Sequence, residues 1–227
     1  MAALSKPKLW HCYNSRSLRP LWTLEEMGIE YDLEVMLFPP RYRHEGYKDL
    51  NPLGTVPYFV DGGTSMTESS GICLYLAERY PQYYLGLEPD HLEYGEYLNW
   101  LFQSDATLTF PQTVHLQYSV LEPRERRVTQ AADDYATWFI NRLVRLDNHI
   151  LDREYLCDNR MTIADVCVGY ALLLGELIGL SERYTTQVQD YLARLKTRPA
   201  FLRTQSIAPE TNFFKELKSA NDRPDEK

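Results

Sequence analysis

The sequence predicts an α/β half followed by an all-helical half, and three observations predict it. Residues 8–80 alternate strand-type and helix-type apolar patterns, residues 81–89 carry prolines with little pattern, and only helical periodicity follows. The expected layout is a βαβαββα domain at 1–81, a linker at 82–90, an all-α domain at 91–218 and a polar, disordered tail at 219–227.

Taken in order, KLWHCY at residues 8–13 is short, apolar and aromatic, as a buried strand is. Asn14, Ser15 and Ser17 are turn and helix-cap types, and a helical pattern carrying Leu18, Leu21, Trp22 and Met27 stops at Gly28. Tyr31, Leu33, Val35 and Leu37 alternate with Asp32, Glu34 and Met36, a strand's period of two, which closes a βαβ unit with a parallel pair. Pro39-Pro40 breaks the chain, and a short, weakly patterned segment fills residues 41–50. A third strand is expected at 56–60, a hairpin turn at Asp61-Gly62-Gly63, a short strand at 64–66 and a helix at 68–80 ended by Pro81. Helices are expected at about 91–119, 124–152, 162–178 and 186–197. The third has the clearest start: Thr162 as N-cap, Asp165 as capping-box partner, and Met161 with Val166 as a hydrophobic staple. It is apolar almost all round, as a bundle's central helix is.

Of the 227 residues, 24 are Lys or Arg and 32 Asp or Glu, a formal net charge of −8. An acidic chain without a basic run is poorly suited to binding nucleic acid through phosphates. No apolar run reaches the roughly 18 residues of a membrane helix, and MAALSKPKLW lacks the apolar core of a secretory signal, so a cytoplasmic protein without a membrane partner is expected. Cys12, Cys73, Cys157 and Cys167 form no C-x-x-C pair and no Cys/His cluster with zinc spacing, so neither a metal site nor a disulfide framework is expected. Cys73 and Cys167 read as small hydrophobes within helices, Cys157 as a loop thiol.

Two short stretches carry chemistry. The Val56-Pro57 pair at a strand's mouth offers an extended backbone edge, and Glu68-Ser69 offers free helix-end donors beside a carboxylate. Each alone has a bland reading, an edge-strand proline or a plain helix cap. Together they suit a short peptide ligand.

With NSRSLR (14–19), NPLGTVP (51–57), ESSGICLYL (68–76) and the cap MTIADV (161–166) in that order, the chain resembles the cytosolic glutathione transferases, of the serine-type, theta-like bacterial kind. The resemblance covers nearly all of the chain except the tail. It implies a thioredoxin-like N-terminal domain, a helical C-terminal domain, glutathione as cosubstrate and a homodimeric, detoxifying enzyme. Carried onto this sequence, Val56-Pro57 is a cis bond and Val56 holds glutathione's cysteine residue by strand-like hydrogen bonds. Ser69 takes the γ-glutamyl carboxylate and Glu68 the ammonium group. Arg43, with His44 and Lys48 nearby, and Thr55 lie on the glycyl side. Thr55 stands where many relatives carry Lys or Gln.

For the thiolate, Ser15 matches the spacing of serine-type members, four residues before Arg19. Tyr13 has the tyrosine-type spacing, Asn14 could donate through its amide, and Cys12 would serve a cysteine-type member. The bland reading of Ser15 is an N-cap, with Pro20 favouring a helix that begins at Ser17 instead. Trp100, Phe102, Thr107, Phe110, His115 and Tyr118 are available for an electrophile pocket, with Phe110, His115 and Tyr118 as the chosen lining. Tyr94, Tyr97 and Trp100 lie near the expected dimer contact. The rival activities are a glutathione-dependent dehalogenase, an ether-cleaving enzyme or an isomerase; the rival of another class is a non-catalytic interaction module.

Overall fold

A computed structural model describes residues 6–207; the tail expected at 219–227 lies outside the described residues. The described residues divide into two compact units, 6–76 together with 199–207, and Ala77–Arg198.

The first unit is built on a four-stranded sheet of β1 (Lys8–Cys12), β2 (Asp32–Met36), β3 (Tyr58–Asp61) and β4 (Thr64–Met66), in the order β2-β1-β3-β4. β1 runs parallel to β2, with Lys8 opposite Asp32, and antiparallel to β3, with Trp10 opposite Tyr58. Between β1 and β2, α1 (Leu18–Met27) buries Leu18, Leu21, Trp22, Leu24 and Met27, and Gly28 closes it in the left-handed region at φ 62°. After β2 come two short helices, α2 (Pro40–Arg43) and α3 (Tyr47–Leu50), in the weakly patterned segment. α4 (Ser69–Arg79) follows β4. Val56-Pro57 is cis, as the resemblance implies, and Phe38-Pro39 is a second cis bond that the sequence did not disclose.

Two features differ from expectation. In β2, Val35 is exposed and Met36 buried, because Met36 is on the face that packs with Cys12, Tyr47 and Val56; Lys6–Asp32 (2.7 Å) and Lys8–Glu34 (3.5 Å) ion pairs line the strand, which is at the sheet's edge. In addition, α10 (Pro199–Ser206) belongs to this unit and packs on α1, with the Trp22 and Phe201 rings 4.9 Å apart and Arg203 Nε on Glu25 Oε2 at 2.5 Å.

The second unit is helical. The segment expected as one long helix is α5 (Tyr94–Gln103), a π-helical stretch (Ser104–Thr109), α6 (Phe110–Leu116) and a second π stretch (Gln117–Leu121). α7 (Thr129–His149), α8 (Ile163–Leu177) and α9 (Thr186–Lys196) follow. α8 is central, buried from Ile163 to Gly175, and packs on α5 and α9. Its capping box forms as expected. Asp165 also accepts from Leu156 N–H and from Tyr191 Oη, both at 2.9 Å, so the cap pins a loop and a neighbouring helix too.

One expectation fails here, and one thiol is more enclosed than its loop position suggests. Tyr97 and Trp100, proposed for a dimer contact, are each 1% exposed and belong to the unit's core; Trp100 is equally unavailable to a pocket. Cys157 lies in the connection between α7 and α8, as expected, but it is fully buried in an isolated β-bridge to Arg160, and burial pushes its thiol up to about 12.

Candidate functional site

The topology of the first unit gathers the predicted residues at one end of the sheet. β3 is antiparallel to β1, so the residues entering β3 lie beside those leaving β1, and Val56 packs with Cys12, Met36 and Tyr47 in one apolar cluster. The turn after β1 carries Tyr13, Asn14 and Ser15. Asn14 is buried with φ 58°, a left-handed conformation that asparagine tolerates, and its Oδ1 has no hydrogen-bond partner among the described residues. Ser15 is half-buried; its Oγ donates to Cys12 C=O at 2.8 Å and lies 2.8 Å from Ser17 Oγ. Helix α1 begins after Ser17, so Ser15 is not its N-cap, although its carbonyl accepts from Leu18 N–H at 2.9 Å.

The rivals of Ser15 are placed differently. Tyr13 Oη donates to Gln205 Oε1 of α10 at 2.8 Å, and burial raises its phenol above the usual range. Cys12 is fully buried, its thiol pushed up to about 12, which leaves it neither ionised nor accessible.

The NPLGTVP loop is held from within. Tyr47 Oη and Asn51 Nδ2 both donate to Thr55 C=O, at 2.7 and 2.8 Å, and Asn51 Oδ1 accepts from Leu53 N–H at 3.2 Å. Gly54 has φ 60°, and a Cβ there would meet Arg41 Cβ at 2.7 Å, so both backbone and packing demand glycine. Thr55 is exposed, while Val56 and Pro57 are buried. Arg43 is exposed at the end of α2; His44 is instead structural, its Nε2 accepting from Leu37 N–H at 2.9 Å.

At the start of α4, Glu68 C=O accepts from Ile72 N–H at 2.8 Å, Glu68 is exposed and Ser69 is buried. Arg19 Nη1 donates to Ser69 Oγ at 3.0 Å, and Arg19 is itself fully buried. Sequence reasoning used Arg19 only as a spacing mark and missed that it sets a cation against the α4 N-terminus. Its position on the apolar face of α1, beside Leu18, was the available clue.

The electrophile-pocket residues lie in the second unit. Phe110 is exposed, with its ring edge-on to Tyr135 at 6.4 Å; His115 Nδ1–H donates to Ala132 C=O of α7 at 2.8 Å; Tyr118 is half-buried in the second π stretch. His115 therefore fastens α6 to α7. Among the described residues no group of three or more His, Cys, Asp or Glu is placed to hold a metal ion, and no helix is long and apolar enough to cross a membrane.

Comparison with known proteins bears on this geometry. Residues 15–79 match the family model of the glutathione S-transferase N-terminal domain. Protein LigF of a Sphingobium species is 35% identical over 228 residues, covering 82% of this chain and 87% of that protein. Glutathione S-transferase 3 of Schizosaccharomyces pombe is 29% identical over 202 residues, covering 85% of this chain and 84% of that protein. Among solved structures, a sphingomonad glutathione S-transferase complexed with glutathione shares the fold with a TM-score of 0.77 at 22% identity, covering 88% of this chain and all of that one. The chain belongs to the glutathione S-transferase family and is a glutathione transferase, with a thioredoxin-like N-terminal domain and a helical C-terminal domain.

Proposed function

We propose that the protein joins the thiolate of glutathione to small hydrophobic electrophiles, as a homodimeric detoxifying enzyme of the cytoplasm, with Ser15 as the thiolate's donor. The observation that carries this reading is the convergence of the Ser15 hydroxyl, the Val56 backbone and the Ser69 N-terminus of α4 within one unit. A free thiol with a pKa near ~8.5 is only a few per cent thiolate at neutral pH, so a transferase must favour the anion. A serine O–H beside the start of α1 supplies a charge-assisted hydrogen bond, helped by the helix dipole. Val56 pairs with the ligand's cysteine residue through its main chain. Ser69, with the Arg19 cation behind it, takes the γ-glutamyl carboxylate, and exposed Glu68 takes the ammonium group. Arg43 and Thr55 serve the glycyl end, and Phe110, His115 and Tyr118 the electrophile.

Retention on immobilised glutathione followed by conjugation of a generic aryl halide tests the reading. Retention without turnover of any aryl halide, epoxide or aryl ether substrate would favour the non-catalytic module. For the homodimer, sedimentation at micromolar concentration should give twice the mass of 26.6 kDa. A monomer there refutes it.

A further inference from the structure

Ser15 is the end of a buried chain of side chains that the proposed function leaves unused. His11 is fully buried, and its Nδ1 lies 2.8 Å from Ser17 Oγ. Ser17, also fully buried, lies 2.8 Å from Ser15 Oγ, which in turn lies 2.8 Å from Cys12 C=O. Ser17 Oγ further accepts Cys12 N–H at 3.1 Å, and Ser17 N–H reaches Ser15 Oγ at 3.3 Å. His11 Nε2 has no hydrogen-bond partner among the described residues. Burial lowers the imidazole to about 4, so near neutral pH it carries a single N–H.

Counting protons fixes their order. Three short contacts run from Nδ1 to Ser17 Oγ, from there to Ser15 Oγ, and on to Cys12 C=O, and each needs one proton. The two hydroxyls supply two. The third must come from His11 Nδ1. The alternative tautomer would leave one 2.8 Å contact without a proton and strand a buried Nε2–H without an acceptor. With Nδ1–H donating to Ser17, the Ser17 hydroxyl has two acceptors, Ser15 Oγ at 2.8 Å and Cys12 C=O at 3.3 Å, and the shorter contact takes its proton to Ser15. Ser15 Oγ then has both lone pairs filled, by Ser17 O–H and Ser17 N–H, and its own proton, given to Cys12 C=O in the ligand-free protein, is what it can turn toward a bound thiolate.

We infer that His11 and Ser17 are positioning residues that make the Ser15 hydroxyl an obligate donor. A thiol S–H needs an acceptor, whereas a thiolate needs a donor. A serine free to rotate serves both and discriminates weakly; one whose lone pairs are filled serves only the anion. On this view the bound thiol's acidity depends on the polarity of the chain as well as on the presence of Ser15. The inference rests on the assignment of Ser15 to the thiolate.

The test titrates the thiolate absorbance of glutathione bound to the wild type, Ser15→Ala, Ser17→Ala and Ser17→Thr. Ser17→Ala, which leaves Ser15 in place, should raise the bound thiol's pKa by about one unit, a tenfold loss of thiolate below that pKa, with glutathione affinity little changed. Ser17→Thr should restore the wild-type value by returning the hydroxyl. An unmoved pKa in Ser17→Ala beside a raised one in Ser15→Ala overturns the inference and leaves Ser15 as donor. An unmoved pKa in Ser15→Ala removes the assignment of Ser15 and the inference with it. A measurement free of variants stands beside these: in 15N-histidine-labelled wild-type protein, His11 should show the Nδ1–H tautomer. An Nε2–H signal for His11 overturns the chain's polarity whether or not the variants fold.

Discussion

Replacing Ser15 by Ala, beside Tyr13→Phe, separates the two hydroxyls of the β1–α1 turn. Ser15→Ala deletes side-chain contacts to Cys12 C=O and Ser17 Oγ, both at 2.8 Å. It keeps the backbone bonds that shape the turn, Ser15 N–H to Cys12 C=O at 3.1 Å and Leu18 N–H to Ser15 C=O at 2.9 Å. The turn should therefore persist, and the loss should fall on the ligand. A hydrogen bond to a charged group is worth about 1.5–3 kcal/mol. That corresponds to a bound-thiol pKa raised by about 1–2 units and conjugation slowed roughly 10- to 200-fold. Glutathione affinity should move far less, since the contacts proposed for Val56 and Ser69 would remain. Tyr13→Phe instead cuts a 2.8 Å bond to Gln205 of α10, and should cost about 0.5–1.5 kcal/mol of stability with little change in thiol titration. The assays are thiolate absorbance against pH and steady-state conjugation of an aryl halide. A bound-thiol pKa unchanged from wild type in Ser15→Ala, with a raised one in Tyr13→Phe, would transfer the role to the tyrosine.

Three further predictions follow from the same structure. Glu68→Ala and Ser69→Ala should each weaken glutathione binding by about 1.5–3 kcal/mol, read by calorimetry on folded protein; unchanged affinity would mean that the head group binds elsewhere. Asp165→Ala should destabilise the protein by about 3–5 kcal/mol in urea unfolding, because it removes the cap of α8 and strands the buried Leu156 N–H and Tyr191 O–H; a loss below about 1 kcal/mol refutes that role. Hydrogen bonds from Asp158 N–H and from Arg153 (both 2.6 Å) hold Glu93 below its ordinary 4.5, so its contribution is complete above that pH and fades as pH falls through the depressed value. The stability gap between wild type and Glu93→Gln should accordingly shrink on acidification from pH 5, and a gap that stays constant would exclude the pair as its source.

What the sequence disclosed and what it concealed divide along a physical line. The βαβ unit and the α8 capping box were legible because each is written in a few adjacent residues, by periodicity or by cap chemistry; the cis Val56-Pro57 bond was expected only because the family resemblance implies it. α10 was not: eight residues give too few turns for a periodic signal, and what seats the helix is Phe201 against Trp22 and Arg203 against Glu25, partners nearly the whole chain away. The two π stretches were hidden for a different reason, since a helix widened by one residue keeps its composition and changes only its register. Tyr97 and Trp100 misled as dimer residues because aromatic composition does not say which face of α5 meets α8.

The candidate site shows the same division within a dozen residues. Ser15 and Ser17 were legible as cap-type residues of one turn, yet the chain His11–Ser17–Ser15 was not. It arises only when the turn folds Ser17 Oγ back under Cys12 N–H and beside a side chain six positions earlier in β1. Arg19 was concealed similarly, because the Ser69 hydroxyl that its guanidinium reaches lies fifty residues later in the chain. A buried arginine is costly without polar partners. Here its Nη1 donates to Ser69, the residue proposed to bind an anion, so a ligand carboxylate held there would add a charge-assisted contact to it. Arg19→Met should therefore lower glutathione affinity more than it lowers the stability of the ligand-free protein; the opposite ranking, by calorimetry and urea unfolding, would make Arg19 a structural residue alone.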